Sequence, residues 1–187
     1  AAPTAVVGLA AITVAAGGHV SYRSGPDGAD LPYELNSTWF DLMAAGHEPE
    51  AAVRRHLGAH AIQLALRGIP GVYVHSLFGS PNDQELFAET GRARSLNRHK
   101  FTKPPNVANP VFAGMREMVA QRAANPAVHP DVPQRILDLP TGLFGIERIP
   151  EDAASVRVVV NLTADAIEFE LDGGRGVAGP FETVWQA

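Results

Sequence analysis

"EPEAAVRRHLGAHAIQLALRGIPGVYVHSLFG", residues 48–79, breaks at Gly68 into two segments of different periodicity. The first half is the strongest helix pattern in the chain. Pro49 suits a first turn, Glu48 and Glu50 sit at the positive end of the dipole, and Gly68 ends the run. Val53, Leu57, His60, Ala61 and Leu64 fall on one face. Past the Gly-Ile-Pro break, the apolar run through Val72 and Val74 predicts a short strand buried on both sides. Helix, tight turn, buried strand and then polar residues make an α/β unit. In such units the chemistry gathers just beyond the strand's C-terminal end.

The rest of the 187-residue chain limits what that unit can belong to. A chain of this length buries roughly 70% of its unfolded surface, enough for a true core. Fifteen Lys and Arg against 20 Asp and Glu give a formal charge of −5, which argues against nucleic-acid or anionic-membrane partners. There is no Cys, so disulfides and thiolate metal sites are excluded. Eighteen Gly and 15 Pro imply many turns, while a 45% hydrophobic content argues against disorder. The opening "AAPTAVVGLAAITVAAGG" is too short for a membrane span and lacks the basic start of a signal peptide. It reads as a buried or half-buried helix stopped by Gly17-Gly18, in a chain whose beginning has been cut away.

Organisation follows the same logic on either side. "HVSYRS" alternates like a strand, and "GPDGADLP" is turn-forming. "PYELNSTWFD", residues 32–41, then reads as a loop with Tyr, Glu, Asn and Trp crowded together. "NPVFAGMREMVAQRAANPA" is a second helix, with Asn109 as N-cap and Pro110 at its first position. From about Val128 the texture changes. "QRILDL", "LFGIERI", "VRVVVNL" and "AIEFEL" are four strand-like runs separated by turns, an antiparallel module. The Pro-rich "NPAVHPDVP" marks the boundary between 1–127 and 128–187.

Taken together, "PYELNSTWFD", "AHAIQLALRGIPGVYVHSLFGSPND" and "TGRARSLNRHK" resemble the sucrose-phosphorylase-like subfamily of the α-amylase superfamily. The tail from "HPDVPQRILDL" through "VVVNLTADAIEFEL" resembles that subfamily's C-terminal β domain. "GGHVSYRS", "YELN" and "VHSLFGS" are closer to glucosylglycerate phosphorylases than to the sucrose enzymes. The resemblance implies the C-terminal part of a (β/α)8 TIM barrel in 1–127, followed by a small antiparallel β domain: α/β plus all-β. Such enzymes retain configuration through a covalent glucosyl intermediate and need an Asp nucleophile, a Glu acid/base and a third Asp. All three lie upstream of the matching stretch in the family, and no "HDG" occurs here. The expectation is a fragment of a cytoplasmic glycoside phosphorylase, inactive alone, with no catalytic residue of its own and no metal or organic cofactor. Its partners would be a sugar and phosphate, not nucleic acid or membrane. A hydrolase or transglucosidase fragment, or a non-catalytic carbohydrate-binding remnant, are the alternatives.

By resemblance, Tyr33 and Glu34 line the acceptor or phosphate subsite, Tyr offering a hydroxyl and a stacking face and Glu accepting sugar hydroxyls. Arg94 matches an Arg that helps hold the donor glucose, since a guanidinium forks onto paired hydroxyls or a carboxylate. Arg92 is an alternative because "GRARS" departs from the family spacing. His75 and Asp83 are further expected substrate-binding residues, since with Asn82 they follow the predicted strand on the face where barrels place their sites. Asn36 and Trp39 are expected to pack the loop. Three other patterns lead nowhere: His56 and His60 stand at i, i+4 without a third ligand. "GRGVAG" has no room for a βαβ unit, and the sequons at Asn36 and Asn161 lack a secretory signal.

Overall fold

The computed structural model describes residues 4–186. In chain order its elements are α1 (Thr4–Ala15), β1 (His19–Ser24), β2 (Asp30–Asn36), α2 (Trp39–Ala44), α3 (Pro49–Ala65), α4 (Val74–Leu77), α5 (Gln84–Thr90) and α6 (Pro110–Ala124). Then come β3 (Gln134–Ile136), β4 (Leu143–Arg148), β5 (Val156–Asn161), β6 (Ile167–Leu171), β7 (Gly174–Ala178) and β8 (Thr183–Gln186). The fold is mixed α/β, and its strands pair antiparallel in three small sheets, β1-β2, β3-β4-β5-β8 and β6-β7. Two compact units emerge, residues 4–52 with 73–107, and residues 53–72 with 108–186.

In the first unit, α1 ends where Gly17 turns left-handed at φ 72° and the Gly18 N–H closes back on the Thr13 carbonyl at 2.8 Å. Gly18 has to lack a side chain, because a Cβ there would stand 2.8 Å from the Asn36 carbonyl oxygen. α1 is apolar on every side, yet only Ala10 and Thr13 are buried. Val7, Leu9, Ile12 and Val14 are about half exposed, so the expected buried or half-buried helix is instead largely open within its unit. Among the described residues no helix is long and apolar enough to cross a membrane.

The stretch 32–36, read as loop, is strand. "PYELN" forms most of β2, paired with β1 from His19↔Asn36 to Ser24↔Asp30 with a register shift at Ser21/Tyr22. The true turn is shorter, closed by Gly25 N–H on Ala29 O at 2.8 Å and by Gly28 N–H on Gly25 O at 3.0 Å. Conversely, the predicted buried strand at 69–74 does not form. Ile69, Tyr73 and Val74 are exposed, and the chain runs irregularly into the one-turn helix α4. A strand persists only where neighbours take up its backbone N–H and C=O groups. Among the described residues no strand lies alongside this segment, and Pro70 removes a donor.

The second unit is built around β4 and β5. Val158, Val159 and Val160 of β5 are buried on both faces of the sheet. On one side Val159 meets Phe169 and Ala178 of the β6-β7 hairpin, flanked by Leu137, Leu139, Leu143, Leu171 and Val184. A second cluster joins Ala127, Val128 and Val156, with Trp185 packed on it. α6 starts as expected, with Asn109 Oδ1 accepting from the Phe112 N–H at 2.8 Å and Pro110 at N1. α3 and α6 approach closely at Gly114, where a Cβ would fall 2.5 Å from Leu57 Cδ1.

Two arginines finish α3. Its last turn leaves carbonyls without intrahelical donors. Arg122 Nη1 donates to Leu64 O and its Nη2 to Gly68 O at 2.9 Å. Arg148, fully buried, donates to Ala65 O at 2.8 Å, His129 O at 2.7 Å and Val132 O at 2.9 Å. Burial and the charges of Arg122 and Arg67 lower the Arg148 pKa from its ordinary value. Beside it on β4, burial pushes the Glu147 carboxyl up. The hydrogen bonds from Arg135 and Ser155, with the charges of Arg135 and Arg157, outweigh that and hold it low.

Candidate functional site

The residues named from sequence as ligand-binding all lie in the first unit. Period-two alternation along β2 sends Tyr33 and Glu34 to opposite faces of the hairpin. Tyr33 is 63% exposed, with the Arg23 guanidinium carbon 5.3 Å from its ring centroid, a cation–π contact that steadies an open phenol. Glu34 is half-buried and turns toward the 3-10 turn Ala93–Ser95. There Arg94 Nε donates to both carboxylate oxygens, at 3.1 and 3.3 Å. Arg98 Nη2 stands 3.8 Å from the same Oε1.

Glu34, Arg94 and Arg98 therefore form one charged cluster with a surplus cation. Arg94 and Arg98 keep more than half their side-chain surface in solvent, so both guanidiniums present donors outward. Such a set can receive an oxyanion on the cations, while the carboxylate accepts from hydroxyls. Arg98 and Arg23 were missed as individual candidates. The signal for Arg98 was present in "NRH", whereas Arg23 is brought in only by hairpin pairing.

His75 is nearly inaccessible, at 3% exposure. Its Nε2 lies 2.9 Å from the His99 carbonyl oxygen, which fixes the proton on that nitrogen. Its Nδ1 and the Nδ1 of His99 are buried without a hydrogen-bond partner. The ring packs 4.1 Å from His99, 4.8 Å from Phe101 and 5.3 Å from Tyr73, centroid to centroid. Burial first, then the neighbouring His99, lowers the His75 pKa, against the raising effect of the carbonyl bond.

Asp83 caps α5, its Oδ1 accepting from the Leu86 N–H at 2.8 Å. Next to it, Asn82 is a buried junction. Its backbone N–H donates to Asp41 Oδ2 at 2.8 Å, its Oδ1 accepts from the Thr38 N–H at 2.7 Å, and its Nδ2 donates to Ala16 O at 3.2 Å. Burial raises the Asp41 pKa and the Asn82 bond opposes it. The structure thus joins Glu34 to Arg94 and gives His75 and Asp83 positions inside the scaffold that carries them. Asn36 is buried and donates to Ser21 Oγ at 3.3 Å, while Trp39 is 45% exposed. Arg92, the alternative to Arg94, is exposed at the start of the 3-10 turn.

In the second unit, His60 Nδ1 donates to the His56 carbonyl at 2.9 Å and the two rings pack 4.4 Å apart. Among the described residues no group of three or more His, Asp or Glu is placed to hold a metal ion. Asn161 is buried, its Nδ2 donating to the Asp165, Ala178 and Gly179 carbonyls, so this sequon folds inward.

No protein-family profile matches the chain. The chain is similar to the glucosylglycerate phosphorylase of Allomeiothermus silvanus, 38% identical over 98% of this chain and 36% of that protein. A second glucosylglycerate phosphorylase, from Spirochaeta thermophila, is 34% identical over 79% of this chain and 27% of its own length. The crystal structure of sucrose 6F-phosphate phosphorylase from Thermoanaerobacter thermosaccharolyticum superposes with a TM-score of 0.71 at 21% identity, covering 91% of this chain and 35% of that one. The last likeness is one of fold. The chain spans about a third of the length of these relatives.

Proposed function

From this kinship with the glucosylglycerate and sucrose phosphorylases, we propose that the chain is the C-terminal portion of a glycoside phosphorylase. The parent would transfer an α-glucosyl group from an α-glucoside to phosphate, releasing α-glucose 1-phosphate. Residues 1–127 would complete a (β/α)8 barrel and 128–187 would form the following β domain. The carrying observation is the match to a glucosylglycerate phosphorylase along 98% of the chain at 38% identity. The charged cluster suits the reading. Arg94 would help hold the donor glucose through paired hydroxyls, Arg98 supplies a donor for an anionic group such as phosphate or a carboxylate, and Glu34 supplies an acceptor for hydroxyls. Tyr33, open to solvent on the other face of the hairpin, offers a stacking face of its own. In this proposal His75 and Asp83 serve by holding the segments around the subsite, and the parent works in the cytoplasm.

The test is a hybrid that joins the preceding two-thirds of the Allomeiothermus silvanus protein to this chain. We expect release of glucose 1-phosphate from glucosylglycerate and phosphate by the hybrid, and none above blank from the 187-residue chain alone. A folded hybrid that yields only free glucose sinks the phosphorylase reading in favour of a hydrolase. Within an active hybrid, Glu34→Ala should lower acceptor-dependent kcat/KM between a few-fold and about a hundred-fold. Arg94→Ala should damage all acceptors alike.

A further inference from the structure

A groove in the second unit has a composition the phosphorylase reading does not use. It measures about 420 Å³ and lies between α3, α6 and the edge strand β8. That volume is within the range of ordinary small-molecule sites, roughly 300–1,000 Å³. Gly114 and Leu57 line it where α6 meets α3, so close that a Cβ on Gly114 would fall 2.5 Å from Leu57 Cδ1. Thr183 and Trp185, two residues apart on β8, face the same side of the sheet as Val160 and Val158 across from them. Trp185 is anchored against Ala127, Val128 and Val156 and still lines the groove, so its ring is a held platform.

Around that platform stand groups of mixed hydrogen-bonding sense. Glu117 and Gln121 project from successive turns of α6, Arg54 comes from α3, and the Thr183 hydroxyl from β8. They supply both donors and acceptors, and with Glu182 the lining carries one more acid than base. The turn entering β8 holds Phe181 at φ 53°, a left-handed conformation that a bulky residue rarely adopts. It is held there on several sides. Phe181 N–H donates to Thr163 O at 3.0 Å, Gly179 N–H donates to Glu182 Oε2 at 2.6 Å, and the Arg55 guanidinium lies 5.4 Å from the Phe181 ring.

We propose that this groove is a binding subsite for a neutral saccharide, separate from the charged cluster on β2. A sugar ring has an apolar C–H face and a rim of hydroxyls, each both donor and acceptor. An aromatic platform ringed by an amide, a hydroxyl, carboxylates and a guanidinium answers both features. A phosphorylated sugar is disfavoured, because Glu117 and Glu182 outnumber Arg54 in the lining.

Trp39 and Trp185 are the two tryptophans of the chain, so Trp39→Phe leaves Trp185 as sole reporter. Sucrose titrated into this variant of the 187-residue chain should change Trp185 emission saturably. Glu117→Ala and Gln121→Ala, both at exposed positions that leave the core untouched, should each weaken binding roughly two- to ten-fold. Glu34→Ala should leave it unchanged, which separates this subsite from the cluster of the proposed phosphorylase reaction. Calorimetry on the unsubstituted chain and on the two groove variants gives the same comparison should Trp39→Phe impair folding. The proposal is overturned by natively folded protein that shows no saturable response. Glucose 1-phosphate binding tighter than sucrose, or affinity indifferent to both groove variants, overturns it equally.

Discussion

Arg148 and Glu34 mark the two extremes of what a charge does in this protein. Arg148 is fully buried and its guanidinium feeds three carbonyl oxygens, so truncation leaves all three without that donor, the Ala65 carbonyl in the buried interior. Arg148→Ala should cost about 3–5 kcal/mol in urea denaturation. Glu34 meets an Arg94 side chain that is 58% exposed, where solvent screens the pair. Glu34→Ala should change stability by less than about 1 kcal/mol. Equal losses in the two variants would show that the Glu34 pair is part of the folding core. A pH dependence follows from His75. Its folded pKa is lowered, so the unfolded chain binds the proton more readily, and the stability from keeping His75 neutral is full above about pH 6.5. That stability is lost as pH falls toward the folded value. The lowered pKa of His60 acts in the same direction, and the raised one of Asp41 opposes only near the carboxylate range. His75→Phe should flatten the decline of the denaturation midpoint between pH 7 and 5, measured against the unsubstituted chain. An unaltered slope would remove His75 from the account.

At the scale of elements, local chemistry and structure agree where the signal was local. α6 begins at Asn109 and Pro110 because a side-chain acceptor and a missing N–H are what a first turn needs. Asn109→Ala should cost about 1 kcal/mol, seen as a shift in the urea midpoint without change in slope. A loss of zero would mean that water or another group replaces the cap. α3, β4, β5 and β6 were legible for the same reason, as were the glycines that end α1. β7 and β8 were not. "GRGVA" and "TVWQ" are short and carry little apolar alternation, and they become strands by pairing with β6 and β5. The segment 69–74 shows the converse, since β propensity without an adjoining strand gave an irregular run.

For the whole molecule, burial is uneven, and this sets an order of unfolding. β4 and β5 lie under two hydrophobic clusters, while α1 presents Val7, Leu9, Ile12 and Val14, and residues 101–107 are mostly exposed and irregular. Limited proteolysis should therefore cut within residues 1–107 before it cuts within 128–186. Uniform resistance along the chain would contradict this. What the sequence determined by itself was whatever a few neighbouring residues decide: helix caps and stops, alternation in the central strands, and the motifs shared with the phosphorylases. It also supplied Glu34 and Arg94 as separate candidates. Only the tertiary structure decided that they share one ion pair 60 residues apart, that "PYELN" is strand rather than loop, and that His75 is buried. The reason is physical. A cap or a turn is stabilised by atoms a few residues away, whereas strand pairing, burial and ion pairing depend on which distant segment arrives alongside.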